Sequence, residues 1–111
     1  MYSLTKSIAF IFFRFILNRS LLYARVSLLG ASFKCSSRDV LGRHLYKYGT
    51  HEPENSNFLL EFLTLDRDEI AFDIGANLGW YSVLLNRKSK SNSVIYSFEP
   101  DPNNFDLLEF N

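Results

Sequence analysis

A single cysteine, Cys35, stands in a chain of 111 residues, so neither an internal disulfide framework nor a multi-cysteine zinc site can form. One lone thiol fits a reducing compartment. Histidine is nearly as scarce: His44 and His51 are seven apart with no cysteine beside them, match no metal-ligand spacing, and read as ordinary surface or loop residues. Long apolar runs are missing too. A transmembrane helix needs ~20 mostly apolar residues, and the charge-free stretch from Ser7 is broken at Arg14. There are no repeats and no low-complexity segments. With 47% hydrophobic and 22% charged residues, the composition is that of a folding chain long enough for one small domain.

The first half also lacks acids. Up to Thr50, eight basic residues face the single acid Asp39, a net charge of +7, whereas from His51 onward four basic residues face eleven acids, a net charge of −7. The zero total hides two segments of opposite character, which points to different jobs for the two halves.

Residues Leu4 to Leu29 are dense in Ile, Leu and Phe. At about 100° per residue, Ser7, Arg14, Asn18 and Arg25 fall in one narrow stripe, while Ile8 to Phe13 and Phe15 to Leu17 cover the rest. The spacing predicts a basic amphipathic helix with a wide apolar face, occupying the leader 1–33. Three readings of it stand: packing on the rest of the protein or on a second copy, lying on an anionic membrane surface through residues 4–29, or acting as a targeting segment. The last is opposed by Arg14, Arg19 and Arg25, which lie where a secretory signal is uncharged.

Residues 34–68 read as a connecting, helical region. Ser36, Ser37 and Asp39 are good caps for a short helix through Val40 to Tyr46, and Gly49 stops it. Pro53 starts a second helix that ends near Leu65, with Phe58, Leu59, Phe62 and Leu63 at its apolar positions. Asp66, Arg67 and Asp68 form a polar turn.

From Glu69 the pattern becomes extended. Ile70 to Ile74 has the look of a buried parallel strand ending at Gly75. After the turn Gly75-Ala76-Asn77-Leu78-Gly79, a helix runs from Trp80 to near Arg87 and Lys88. A second strand, Val94 to Phe98, ends at Glu99-Pro100, and Asp101 and Pro102 open a last helix. The expected fold of 69–111 is thus α/β, one βαβ unit preceded by N-terminal helices. Trp80, Tyr81, Leu84 and Leu85 are expected in the helix core, and Phe98 and Phe105 as packing residues.

Such a unit suits a nucleoside-containing ligand. Glycine at the strand end allows close backbone approach, helix N-terminal amides favour an anion, and an acid at the next strand tip can accept hydrogen bonds from ribose hydroxyls. A dinucleotide fingerprint would need glycines where Asn77 and Trp80 stand, so a nicotinamide cofactor fits poorly. The pattern present is D-x-G-x-x-x-G, from Asp73. An acid there suits a ligand with a free ammonium group better than a pyrophosphate, which it would repel. S-adenosylmethionine carries that ammonium and a ribose, and no phosphate.

FDIGANLGWYSVLL (Phe72 to Leu85) followed by VIYSFEPDPNNFDLLEFN (Val94 to Asn111) resembles the opening of the cofactor domain of FkbM-type methyltransferases, as does YKYGTHEPENSNFLLEFL (Tyr46 to Leu63) the segment before it. The resemblance implies a class I methyltransferase (Rossmann-like) fold and O-methylation by S-adenosylmethionine of a hydroxyl on a sugar, glycan or secondary metabolite. It also implies that Asp73, Gly75, Ala76, Asn77 and Gly79 line the methionine and ribose part of the cofactor. Glu99 would hold the ribose hydroxyls, with Pro100 and Asp101 near the adenine edge. The implied fold has seven strands, so this chain reads as its N-terminal portion, with the acceptor pocket and general base beyond Asn111. The isolated chain is then expected to be inactive, cytoplasmic or peripherally membrane-associated, and without a nucleic-acid partner. The contrasting reading is a non-catalytic remnant whose basic helix associates with a membrane or partner.

Overall fold

The structure, a computed structural model, describes residues 4–16 and 20–111. It is mixed α/β with two small sheets. The chain falls into two compact units, one ending at His51 and one running from Glu52 to Asn111.

The first unit corrects the expectation of one helix to Leu29. Helix α1 (Leu4–Ile11) continues only through a π-helical turn, Phe12–Ile16. Asn18, assigned to the polar stripe, lies outside the described residues with Leu17 and Arg19. Strand β1 (Leu21–Val26) then pairs antiparallel with β2 (Ala31–Ser36), in register from Leu21 opposite Ser36 to Val26 opposite Ala31. The physical reason is a competing period of two. Leu22, Ala24 and Val26 are buried with Phe33 and Cys35, while Leu21, Tyr23 and Arg25 face out. Ser27–Leu29 and Gly30 close the hairpin, so its backbone groups pair with each other. Arg25 therefore lies on the outer face of a strand. Burial pushes the Cys35 thiol up to about 11, which leaves it a neutral core group at ordinary pH.

Helix α2 (Val40–Tyr48) agrees closely with expectation. Asp39 caps it by accepting from the Gly42 amide at 2.9 Å, and Gly49 ends it. Leu45 is fully buried, and Gly42, with no Cβ, lets the helix lie directly against the Ser36 backbone. Helix α1 meets α2 through Phe10, whose ring is 6.1 Å from that of Tyr46 and lies under the Lys47 ammonium at 5.1 Å. Phe10 is the one buried residue of α1. Leu4, Ile8, Ile11, Phe12, Phe15 and Ile16 are exposed, whereas Ser7 and Arg14 of the expected polar stripe are half-buried. The apolar face thus points to solvent. Among the described residues, no helix is long and apolar enough to cross a membrane.

The second unit opens with α3 (Pro53–Phe62), three residues shorter than expected, with Pro53 in its first turn. Strand β3 (Ile70–Ile74), helix α4 (Trp80–Arg87) and parallel strand β4 (Val94–Phe98) follow, then α5 (Pro102–Phe110), capped by the Asp101 carboxylate. Asp73 pairs with Ser97 and Ile74 with Phe98, so both strands stop at the same level. Trp80 and Leu84 are buried as expected; Tyr81 and Leu85 are half-buried.

The expectation of a buried strand is corrected. Only the face toward α4 is covered. Ile70, Phe72 and Ile74 of β3 and Val94, Tyr96 and Phe98 of β4 are exposed on the other face, with the Phe72 ring stacked 5.6 Å from Tyr96 and 6.2 Å from Phe98. A side-chain period of two puts Ile70, Phe72 and Ile74 with Val94, Tyr96 and Phe98 on one face and Asp73 and Ser97 on the other, and it is the face with the polar pair that α4 covers. Phe98, expected to pack, is exposed on this uncovered face, and Phe105, also expected to pack, is exposed on α5 at the edge of an open groove.

Candidate functional site

The parallel ladder ends at a shared acceptor. The Phe98 carbonyl receives both the Gly75 and the Ala76 amides, each at 2.9 Å, which turns the chain sharply off the tip of β3. The Gly79 amide donates to the Ala76 carbonyl at 2.8 Å and closes the loop into the start of α4. Gly75 adopts φ +78° with open space where a Cβ would stand, so the strand tip is accessible to a ligand. Gly79 is different: its φ is +92°, and a Cβ would stand 2.9 Å from Leu108 of α5. That glycine is explained by backbone and packing.

Glu99 ties the two loops together. One carboxylate oxygen accepts the Asn77 amide at 2.7 Å, and the other accepts the Asp101 amide at 3.0 Å. Asn77 itself is left-handed, at φ +50°, and its side-chain oxygen receives the Leu78 amide at 2.7 Å. A carboxylate offers about four acceptor sites, so the two amides orient Glu99 while leaving acceptor capacity on each oxygen. Gly75, Ala76, Asn77 and Glu99 are thus assembled at one end of the sheet. Ala76 is buried, and Pro100 is exposed beside Glu99.

Asp73 sits behind this loop, on the sheet face covered by α4, and is 9% exposed. Its Oδ2 accepts from the Ser82 hydroxyl at 2.6 Å, and Ser82 Oγ lies 2.6 Å from Ser97 Oγ. Ser82 stands in the first turn of α4, where a carboxylate is favoured by the positive end of the helix dipole. An open groove of about 440 Å³ runs along α4, β4 and α5, lined by Ser82 and Ser97 among others; of the expected site residues only Gly79 reaches it.

Sequence reasoning missed how α3 grips the site. The Trp80 indole N–H donates to Ser56 Oγ at 2.9 Å, both side chains being buried, and the Tyr81 hydroxyl donates to Glu52. Ser56 and Glu52 lie 24 and 29 residues away in sequence, so no local spacing signals these pairs. Ser97 was more legible: a partner directly across the ladder from Asp73 shares its face. Among the described residues, no group of three His, Cys, Asp or Glu side chains could hold a metal ion.

Burial, and then the hydrogen bond and negative charge of Glu52, push the Tyr81 phenol up from its ordinary value of 10 to about 12. The folded chain thus holds this proton more tightly than the unfolded chain does. The resulting stabilisation is fully present below pH 10 and is lost as pH rises from 10 to 12. Ultraviolet titration of tyrosinate is expected to show one late phenol near pH 12, which moves toward 10 in Glu52→Gln; an unchanged titration curve in that variant would disconnect Tyr81 from Glu52.

No protein-family profile, curated protein or solved structure matches this chain.

Proposed function

We propose that the unit from Glu52 to Asn111 is the S-adenosylmethionine-binding part of an O-methyltransferase of the FkbM type, acting on a hydroxyl of a sugar, glycan or secondary metabolite. The observation that carries the reading is the preoriented Glu99 carboxylate at the tip of β4, held by the Asn77 and Asp101 amides beside the open Gly75 turn. The residues fit the cofactor's chemistry. Glu99 retains acceptor capacity for two ribose hydroxyls, Gly75 leaves space for close approach, and Asp73 supplies a negative charge on the same strand end. Asn77 keeps Glu99 in place, and Pro100 and Asp101 border the adenine side. When bound, the cofactor supplies a sulfonium methyl group for in-line displacement by the acceptor oxygen.

A second reading rests on the outward apolar face of α1. Leu4, Ile8, Ile11, Phe12, Phe15 and Ile16 are exposed together, in the segment whose charge is +7 up to Thr50. That combination suits insertion at an anionic membrane surface, with the exposed Lys6 available to headgroups.

Calorimetric titration with S-adenosylhomocysteine is expected to give a dissociation constant tighter than about 100 μM, or ~5.5 kcal/mol, and Glu99→Ala is expected to remove detectable binding. No binding by the wild-type chain would reject the cofactor reading; unchanged affinity in Glu99→Ala would remove Glu99 from the site. For the membrane reading, the chain is expected to co-sediment with anionic liposomes at low salt and to be released as salt rises. A soluble fraction unaffected by liposomes would exclude that reading.

A further inference from the structure

The Asp73 carboxylate is nine-tenths buried, and a buried charge is costly unless hydrogen bonds compensate it. Compensation comes from two hydroxyls in series. Ser82 has one proton and donates it to Asp73 Oδ2 at 2.6 Å, so in its 2.6 Å contact with Ser97 it can only accept. The chain of donation is therefore directional: Ser97 to Ser82 to Asp73. It joins α4 to the register pair Asp73 and Ser97 of β3 and β4 on one sheet face. Among the described residues, Ser82 is the hydrogen-bond donor to Asp73 through Oδ2, and Oδ1 is left without one.

We infer that Ser82 and Ser97 are positioning residues, which fix the Asp73 carboxylate so that its second oxygen serves the ammonium group at the amino-acid end of the cofactor. The inference rests on the cofactor reading above and adds the residues that set its selectivity for that end. Without the hydroxyl chain, Asp73 loses the donor that holds its rotamer and stabilises its charge within the covered face. Hydrogen bonds to charged groups are the strong ones, and their loss is felt by whatever the charge binds. The adenosine end, served by Glu99 and Asn77, does not depend on this chain, because those contacts run through backbone amides at the strand tips.

Two ligands separate the ends. S-adenosylhomocysteine carries the amino acid and the adenosine; 5′-methylthioadenosine carries the adenosine and thioether alone. Calorimetry on the full chain is expected to show wild-type preference for S-adenosylhomocysteine. Ser82→Ala is expected to weaken S-adenosylhomocysteine about tenfold, while 5′-methylthioadenosine stays within about twofold. Ser97→Ala is expected to shift the same ratio in the same direction by a smaller factor, and gives the test independently if Ser82→Ala does not fold. The ratio is read within each variant, so a loss of folded fraction, which weakens both ligands equally, does not produce it. Equal weakening of both ligands, or no change in either, overturns the positioning role and leaves the cofactor reading standing. Wild-type binding of both ligands with equal affinity does the same. Binding of neither ligand by the wild type overturns the cofactor reading, and this inference with it.

Discussion

The Phe98 carbonyl is the acceptor on which the site depends. By taking the amides of both Gly75 and Ala76, it ends the β3–β4 ladder and starts the turn in one step. The turn then presents the Asn77 amide to Glu99, the residue after Phe98, at 2.7 Å. Strand pairing and site geometry are therefore one construction. A shift of register by one residue would move Asp73 off the α4 face and away from Ser82, and would carry Glu99 out of reach of the loop. The short parallel sheet leaves Phe72, Tyr96 and Phe98 exposed on its far face, while its covered face holds Asp73 and Ser97 and its tips hold Glu99.

Charge placement distinguishes the two units by the same logic. In the first, the unsatisfied feature is apolar: α1 docks through Phe10, and Ile8 of α1 with Phe12 and Phe15 of the π-helical turn after it are exposed. In the second, most acids are on exposed helix and turn positions, and Lys90 pairs with Asp66 at the surface. Asp73 and Glu99 differ from the other acids in their place, at the ends of the two paired strands, where Ser82 orients the first and the Asn77 amide the second.

The βαβ segment was legible because its signals are local. A five-residue apolar run stopped by Gly75, a second stopped by Glu99-Pro100, and the Asp101 cap define β3, β4 and the start of α5 without reference to anything distant. The hairpin was not legible. Leu22, Ala24 and Val26 alternate, but Leu21 and Tyr23 between them are apolar too and mask the period, so only the pairing with Phe33 and Cys35 settles the strand. Within the site, Glu99 and the glycine turn follow from motif spacing, whereas Gly79 belongs to packing against Leu108 and Tyr81 answers to Glu52, neither of which is written near them. The exposure of Phe98 and Phe105 also escaped a reading that equates aromatic with buried.

The proposed nucleoside-binding end at the tips of β3 and β4 is tested most directly by amide-resolved nuclear magnetic resonance. On addition of S-adenosylhomocysteine to the labelled chain, the Gly75, Asn77 and Asp101 amides are expected to shift together and saturably, while those of Leu22, Ala24 and Val26 in the hairpin stay in place. Saturable shifts confined to other residues, or a spectrum unchanged at millimolar ligand, would contradict the account.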